Sequence, residues 1–239
     1  DAMNERRQLE QDADEYMTFG GYPRVVLAAV EEKKDVLQDI AYSYIKKDIY
    51  DAHIRSDQSF YQLLKILAEQ TGQLTNASEL ASTLGLSKTS IDHYLEVMRK
   101  SFHLGVVRPF FRNLRKELTK MPKYYFFDLG LRNFLVNNFL PFERREDKGQ
   151  VLENAVFRCL ADVTEEEEIK FWRTKDKEEI DFIVNGTRAL EVKVNPNRFK
   201  RKIFERFQAL YPEVSCEIAS FRLGERATAG ITISEFWEL

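Results

Sequence analysis

"EEIDFIVNGTRALEVKV", residues 178–194, decides how the second half of the chain folds. Two short apolar runs, 180–184 and 189–194, flank Asn185-Gly186. Asn-Gly between two such runs is a strong signal for a tight hairpin, because both residues tolerate the positive φ the turn requires. Yet Asp181, Glu191 and Lys193 lie inside the strands. Ionised groups are costly to bury without partners, so their presence there needs a reason. Glu191 and Lys193 are two apart, which points both side chains to one face of their strand. Asp181 lies across the hairpin from them.

Working outward, "QVLENAVFRCLADV" reads as an amphipathic helix, "TEEEE" as an acidic loop and "IKFWRT" as a strand ending in the turn "KDKE". After the hairpin come a helix in "RFKRKIFERFQALYP" and a strand in "VSCEIASF". The order is helix, three strands, helix, strand, an α/β unit around a mixed sheet.

The hard oxygen donors of Asp181 and Glu191 suit Mg²⁺ (or Mn²⁺), which takes one or two protein carboxylates and fills its shell with water and phosphate oxygens. The carbonyl of Val192 is a further candidate ligand. Lys193 is then placed to orient or deprotonate water and to steady developing negative charge. Glu153, in the preceding helix, can lean toward the same place. The bland alternative is an edge strand with a surface ion pair of little consequence. For Glu191-x-Lys193 taken alone that alternative is the stronger; Glu153 and Asp181 beside it shift the balance.

Glu153, Asp181 and Glu191-x-Lys193 together resemble the PD-(D/E)xK nuclease superfamily. That resemblance implies an α-β-β-β-α-β core, one or two Mg²⁺, phosphodiester hydrolysis and catalytic roles for these four residues. It equally allows a fold that keeps its shape and has lost activity. The superfamily's usual proline is absent, with Glu179-Ile180-Asp181 in its place.

In the first half, residues 24–50 carry Val36, Leu37, Ile40, Tyr44, Ile45 and Ile49 at helical spacing, and 60–72 form a second helix closed by Gly72. "NASELASTLGLSKTSIDHYLEVMRKS", residues 76–101, is more specific. Asn76 caps a short helix with Glu79 as its reciprocal partner, Gly85-Leu86 turn the chain, and Ser87 caps a second helix with Ile91, Leu95 and Met98 on one face. This is a helix–turn–helix pattern. "HLGVVRPFFRN" and "KMPKYYFFD" follow as two strands around basic "LRKELTK", the expected wing of a winged helix. From Leu86 to Tyr125 nine Lys and Arg stand against three acids, a net of +6 in a chain whose net charge is −3. A basic module on an acidic chain is the footprint of phosphate binding. Lys88, Thr89, Ser90 and His93 are the candidate DNA contacts on the second helix, and Arg112, Arg115 and Lys116 those on the wing. Packing between domains or a merely solvated basic face are the competing readings. "LGLRNFLVNNF" (129–139) is a short helix.

The expected fold is thus α+β in two domains. A leading segment covers 1–57, a winged helix–turn–helix 58–140, a linker 141–148 and a PD-(D/E)xK-like domain 149–239. The chain has 239 residues, 44% hydrophobic and 31% charged, as a globular protein does. Cys159 and Cys216 fit neither a metal-ligand spacing nor a disulfide framework, which favours a reducing cytoplasm. No apolar run reaches the roughly 18 residues of a membrane span. The polar start reads as a cut inside a longer protein.

"FGGYPRVV", "YIKKDIY", the helix–turn–helix, "YYFFDLGLRNFL", "GQVLENAVF", "EEIDFIV" and "EVKV" occur in this order in a large prokaryotic family of AAA+-type ATPases, which the chain resembles along nearly its whole length. The resemblance implies the C-terminal region of such an ATPase, a winged helix followed by a nuclease-like domain, with the ATPase domain as the missing partner. The chain contains no G-x-x-x-x-G-K-[ST], so ATP belongs to that missing domain alone. Three functions stay open: a DNA-directed Mg²⁺-dependent nuclease, a catalytically silent module binding nucleic acid or a partner, and a structural platform. Oligomeric state and nucleic-acid type are not legible.

Overall fold

The computed structural model describes residues 2–111, 117–118, 120–223 and 231–239. The chain divides into two compact units, Asp1–Gly105 with Tyr124–Glu146, and Val106–Lys123 with Asp147–Leu239.

The first unit is mainly helical. Helices α1 (Ala2–Phe19), α2 (Pro23–Val26), α3 (Lys33–Asp51), α4 (Asp57–Glu69), α5 (Ala77–Leu84), α6 (Lys88–Lys100) and α7 (Leu129–Leu135) follow one another. The polar opening stretch is an 18-residue helix. It buries Ala13 and Met17, one turn apart, a stripe too narrow to announce itself in the sequence. The single helix expected over 24–50 is broken after Val26. The cause is Lys33, 2% exposed, whose ammonium donates to the carbonyls of Val25 (2.6 Å) and Val26 (3.1 Å) and pairs with Glu15 (3.0 Å). A cation on the last carbonyls of a helix satisfies groups that otherwise lack partners and complements the helix dipole.

Asn76 accepts from the N–H groups of Ser78 and Glu79, Gly85 turns the chain at φ +65°, and Ser87 accepts from the N–H of Ser90. The caps at Asn76 and Ser87 and the turn at Gly85 thus form where the sequence places them. Ile91, Tyr94, Leu95 and Met98 of α6 are buried, with Tyr94 edge-on to Phe60 of α4.

The expected linker at 141–148 is not a spacer. Phe142 is buried, its N–H donates to Asp14 Oδ1 (2.7 Å), and Arg145 donates to Asn133 Oδ1 (2.8 Å) and to the carbonyl of Asn138 (3.0 Å). Asn133 in turn donates to the carbonyls of Met17 and Thr18. Phe142 and Arg145 tie this stretch to the first unit, a use that composition cannot distinguish from solvation.

Among the described residues the strands are β1 (Leu104–Pro109), β2 (Lys123–Phe126), β3 (Ile169–Arg173), β4 (Glu179–Val184), β5 (Arg188–Val192), β6 (Ser215–Ser220) and β7 (Thr232–Glu235), and in the second unit β1-β3-β4-β5-β6-β7 lie side by side in a mixed sheet. The β1–β3, β5–β6 and β6–β7 pairs are parallel, and the β3–β4 and β4–β5 pairs antiparallel. Residues 106–123, assigned from the sequence to the winged helix, group instead with the second unit, where Arg108 and Pro109 pair with Lys170 and Phe171 of β3. Helices α8 (Lys148–Val163) and α9 (Lys202–Leu210) complete this unit. The core joins Trp172, Ile180, Ile183, Ala189, Phe204, Phe207 and Ile218. Strand β7, after the last expected element, extends the sheet. No helix among the described residues is long and apolar enough to cross a membrane.

Candidate active site

Every residue of this site belongs to the second unit. The hairpin forms as the sequence requires: Asn185 (φ +52°) and Gly186 (φ +65°) make the turn, and Phe182, Ile183 and Val184 pair with Leu190, Ala189 and Arg188. The same register carried one residue further sets Asp181 opposite Glu191.

On its other side β4 carries an irregularity that the sequence pattern hides. Lys170 pairs with Ile183, but Trp172 pairs with Ile180, so Asp181 and Phe182 together oppose Phe171. This is a β-bulge, which leaves one residue outside the ladder and re-aims its side chain. It explains how Ile180 and Ile183, three apart, both join the core. Asp181 turns its carboxylate to β5, where Oδ2 accepts from the N–H of Val192 at 2.8 Å.

Glu191 is 4% exposed. Its Oε1 accepts from the ammonium of Lys193, which also donates to the carbonyl of Val192 at 3.2 Å. Its Oε2 is buried without a hydrogen-bond partner. Burial, reinforced by the charge of Asp181, pushes the Glu191 carboxyl up to about 8 against the opposing pull of Lys193. Burial also raises Asp181, against Lys123, Lys193 and the Val192 N–H. For Lys193 burial opposes the charge, but Glu191 and Asp181 outweigh it, so the ammonium is held above its ordinary range.

Glu153 comes from α8, whose apolar face of Val151, Leu152, Ala155, Val156, Phe157 and Leu160 is buried. Its carboxylate is engaged by the ammonium of Lys123 at 3.2 Å. Its negative charge still reaches the hairpin, raising both Glu191 and Lys193. Lys123, 2% exposed, reaches Glu179 as well at 2.6 Å, and Glu179 is paired in addition with Arg173.

Lys123, Glu179 and Arg173 are the participants that sequence reasoning missed. Lys123 opens the run "KYYF" and reads, by charge alone, as part of a solvent-facing basic footprint. A lysine at the start of a short strand carries no local sign of burial, since the partners that permit it come from elements 30 and more residues away.

Asp181, Glu191 and the Val192 carbonyl supply hard oxygen donors, and Glu191 Oε2 is a buried acceptor still lacking a donor. Among the described residues no group of three or more His, Cys, Asp or Glu side chains is gathered for a metal. Two carboxylates and a carbonyl nevertheless match what Mg²⁺ asks of a protein, since water and phosphate oxygens fill the rest of its shell.

Of the expected DNA contacts, Lys88, Thr89 and His93 are exposed on α6 and Ser90 partly so. Lys88 is paired with Asp92 (2.6 Å) and Lys100 with Glu96 (2.7 Å), which reduces the charge that face presents. Arg112, Arg115 and Lys116 lie outside the described residues. Burial pushes the thiols of Cys159 and Cys216 up to about 11, so neither is activated as a nucleophile.

The chain is 27% identical over 176 residues to the uncharacterized protein Rv2008c of Mycobacterium tuberculosis, covering 72% of this chain and 40% of that one. It is 26% identical over 160 residues to an uncharacterized protein of Haemophilus influenzae, with 64% and 39% covered. It is 26% identical over 191 residues to the uncharacterized protein MJ1544 of Methanocaldococcus jannaschii, with 76% and 41% covered. These matches span about two fifths of the length of the curated relatives. No solved structure matches. Residues 148–229 match a domain of unknown function, DUF4143, which is found as the C-terminal partner of AAA ATPase domains. Residues 10–141, more than half of the sequence, match the domain of unknown function DUF8612, and the chain belongs to that family.

Proposed function

We propose that this chain is the C-terminal region of an AAA+-type ATPase in which a winged helix binds DNA and a PD-(D/E)xK-like unit hydrolyses phosphodiesters with Mg²⁺. The observation that carries the reading is the bulge in β4. It presents Asp181 to β5 beside a Glu191 whose Oε2 is buried and unpartnered, with Lys193 on the other oxygen. A strand that only packed would not keep two carboxylates and an ammonium there, given what their desolvation costs.

Asp181, Glu191 and the Val192 carbonyl would hold the metal, which when bound would supply charge stabilisation at the phosphoryl group and a more acidic water. The protein's own contribution is positional. Lys193 is anchored by Glu191 Oε1 and the Val192 carbonyl, so its remaining N–H can orient a water or donate to a phosphoryl oxygen. Asp181 is fixed by the Val192 N–H and cannot drift from the strand. On α6 the buried Ile91, Leu95 and Met98 turn Lys88, Thr89 and His93 outward, the side from which a duplex would be contacted.

A second reading, a catalytically silent module that binds nucleic acid or a partner, draws support from the ammonium groups of Lys193 and Lys123. They already pair with Glu191 Oε1 and with Glu153 without a metal. Incubating the chain with plasmid and oligonucleotide DNA in Mg²⁺ or Mn²⁺ separates the two. The nuclease reading expects cleavage that EDTA stops and Asp181→Asn abolishes. DNA binding without cleavage selects the silent module.

A further inference from the structure

We propose that Lys123 is a positioning residue that withdraws Glu153 from the metal site, so that the unit takes a single divalent cation on Asp181 and Glu191. This rests on the metal-dependent reading above and deepens it.

Lys123 is enclosed, 2% exposed, with its ammonium 5.4 Å from the ring centre of Phe171. It contacts Glu153 at 3.2 Å and Glu179 at 2.6 Å. An ammonium removed from water holds such partners firmly, since losing either leaves charge uncompensated in a poorly solvated place. Glu179 is shared with the partly exposed Arg173 and so retains a cation in any case. Glu153 is the carboxylate whose recruitment to a metal would leave Lys123 with less compensation. A cation at Glu153 would also stand beside a buried ammonium. Lys123 therefore does what a second cation would otherwise do, neutralising Glu153 and Glu179 close to Asp181. Asp181 and Glu191 are engaged differently. Asp181 is held by a backbone N–H, and Glu191 keeps an unpartnered oxygen. These two can accept a cation without losing the buried ion pairs of Lys123.

The test is Mn²⁺ binding to the full chain, followed by calorimetry and by the loss of the free-ion electron paramagnetic signal. The native chain should bind one equivalent, and Glu153→Gln should leave the affinity within about twofold. Lys123→Met should tighten binding at least about tenfold or add a second equivalent, and Glu153→Gln in that background should reverse the gain; changing a residue that orients a metal ligand shifts affinity by about 10–100-fold. Lys123→Arg should keep the native stoichiometry. A large loss of affinity in Glu153→Gln alone, or two equivalents in the native chain, would overturn the role of Lys123. If Lys123→Met does not fold, the Glu153→Gln and Lys123→Arg chains still decide it. One-site binding that Lys123→Met leaves unchanged removes only the Lys123 proposal. Absence of Mn²⁺ binding in every chain removes the metal-dependent reading as well.

Discussion

Glu191→Gln gives a stability signature that comes from burial and not from assumed chemistry. The carboxyl of Glu191 is pushed up to about 8 by burial and by Asp181, whereas a solvated glutamate titrates near 4.5. As pH rises past the lower value, the unfolded chain releases this proton while the folded chain keeps it until the higher one. In that interval the unfolded state binds fewer protons, so stability falls as pH rises, by at most ~1.4 kcal/mol per pH unit for one proton. Lys193 opposes the trend because its ammonium is stabilised once Glu191 ionises. A net loss of ~1–2 kcal/mol between about pH 5.5 and about 7.5 is the expectation for this group. Glutamine keeps the shape and cannot titrate. The difference in stability between the two chains should therefore move in favour of the native chain as pH falls and in favour of the substituted chain as pH rises. Urea unfolding followed by the fluorescence of Trp172 and Trp237, both in this unit, measures it. Profiles of the two chains that run parallel across this interval would show that Glu191 does not titrate as its burial requires, as would a native chain that gains on the substituted one as pH rises.

Gly20→Ala should destabilise the first unit by ~3 kcal/mol or more, read by urea unfolding with far-ultraviolet circular dichroism. Gly20 sits at φ +77°, and a Cβ there would fall 2.3 Å from Asp128 Oδ1, the buried carboxylate that caps α7 and accepts from the Gly21 N–H. Asn76→Ala should cost ~1 kcal/mol in the same measurement through loss of the cap on α5. Replacing Lys88 and His93 by alanine should weaken DNA binding and reduce its salt dependence by about one ion's worth in a fluorescence anisotropy titration; unchanged binding would remove α6 from the interface. Below about pH 8, Mn²⁺ binding should strengthen with pH and release protons, because Glu191 must ionise to act as a ligand, and calorimetry in buffers of different ionisation enthalpy reads that release.

Where the determinant is local, the structure follows from a few neighbouring residues. Asn185-Gly186, Asn76 and Ser87 fix their turn and caps in this way, and each forms at the position its chemistry requires. Where the determinant is distant, the sequence pattern misleads. The break after Val26 depends on an ammonium supplied by Lys33, and the bulge at Asp181-Phe182 depends on how β3 and β4 register. Neither interrupts the hydrophobic pattern. The parallel pairing of β1 with β3 joins positions some 60 residues apart, so residues 106–123 read as part of a local wing. In the candidate site, Asp181, Glu191 and Lys193 are legible because charged residues inside apolar strands stand out. Lys123 is not, since its partners Glu153 and Glu179 make it unusual only once the sheet has formed.

Metal-dependent DNA cleavage by the purified chain, with Lys193→Ala beside it, decides whether the β4–β5 hairpin is a nuclease site. Lys193 holds Glu191 and the Val192 carbonyl, and its remaining N–H is the group assigned to the proposed reaction. Mg²⁺- or Mn²⁺-dependent cleavage is expected of the native chain and a loss of about 100-fold or more in the Lys193→Ala chain, the scale of removing a group that stabilises developing charge. Cleavage that persists at the native rate without Lys193, or a native chain that binds DNA and both metals yet cuts nothing, would contradict it.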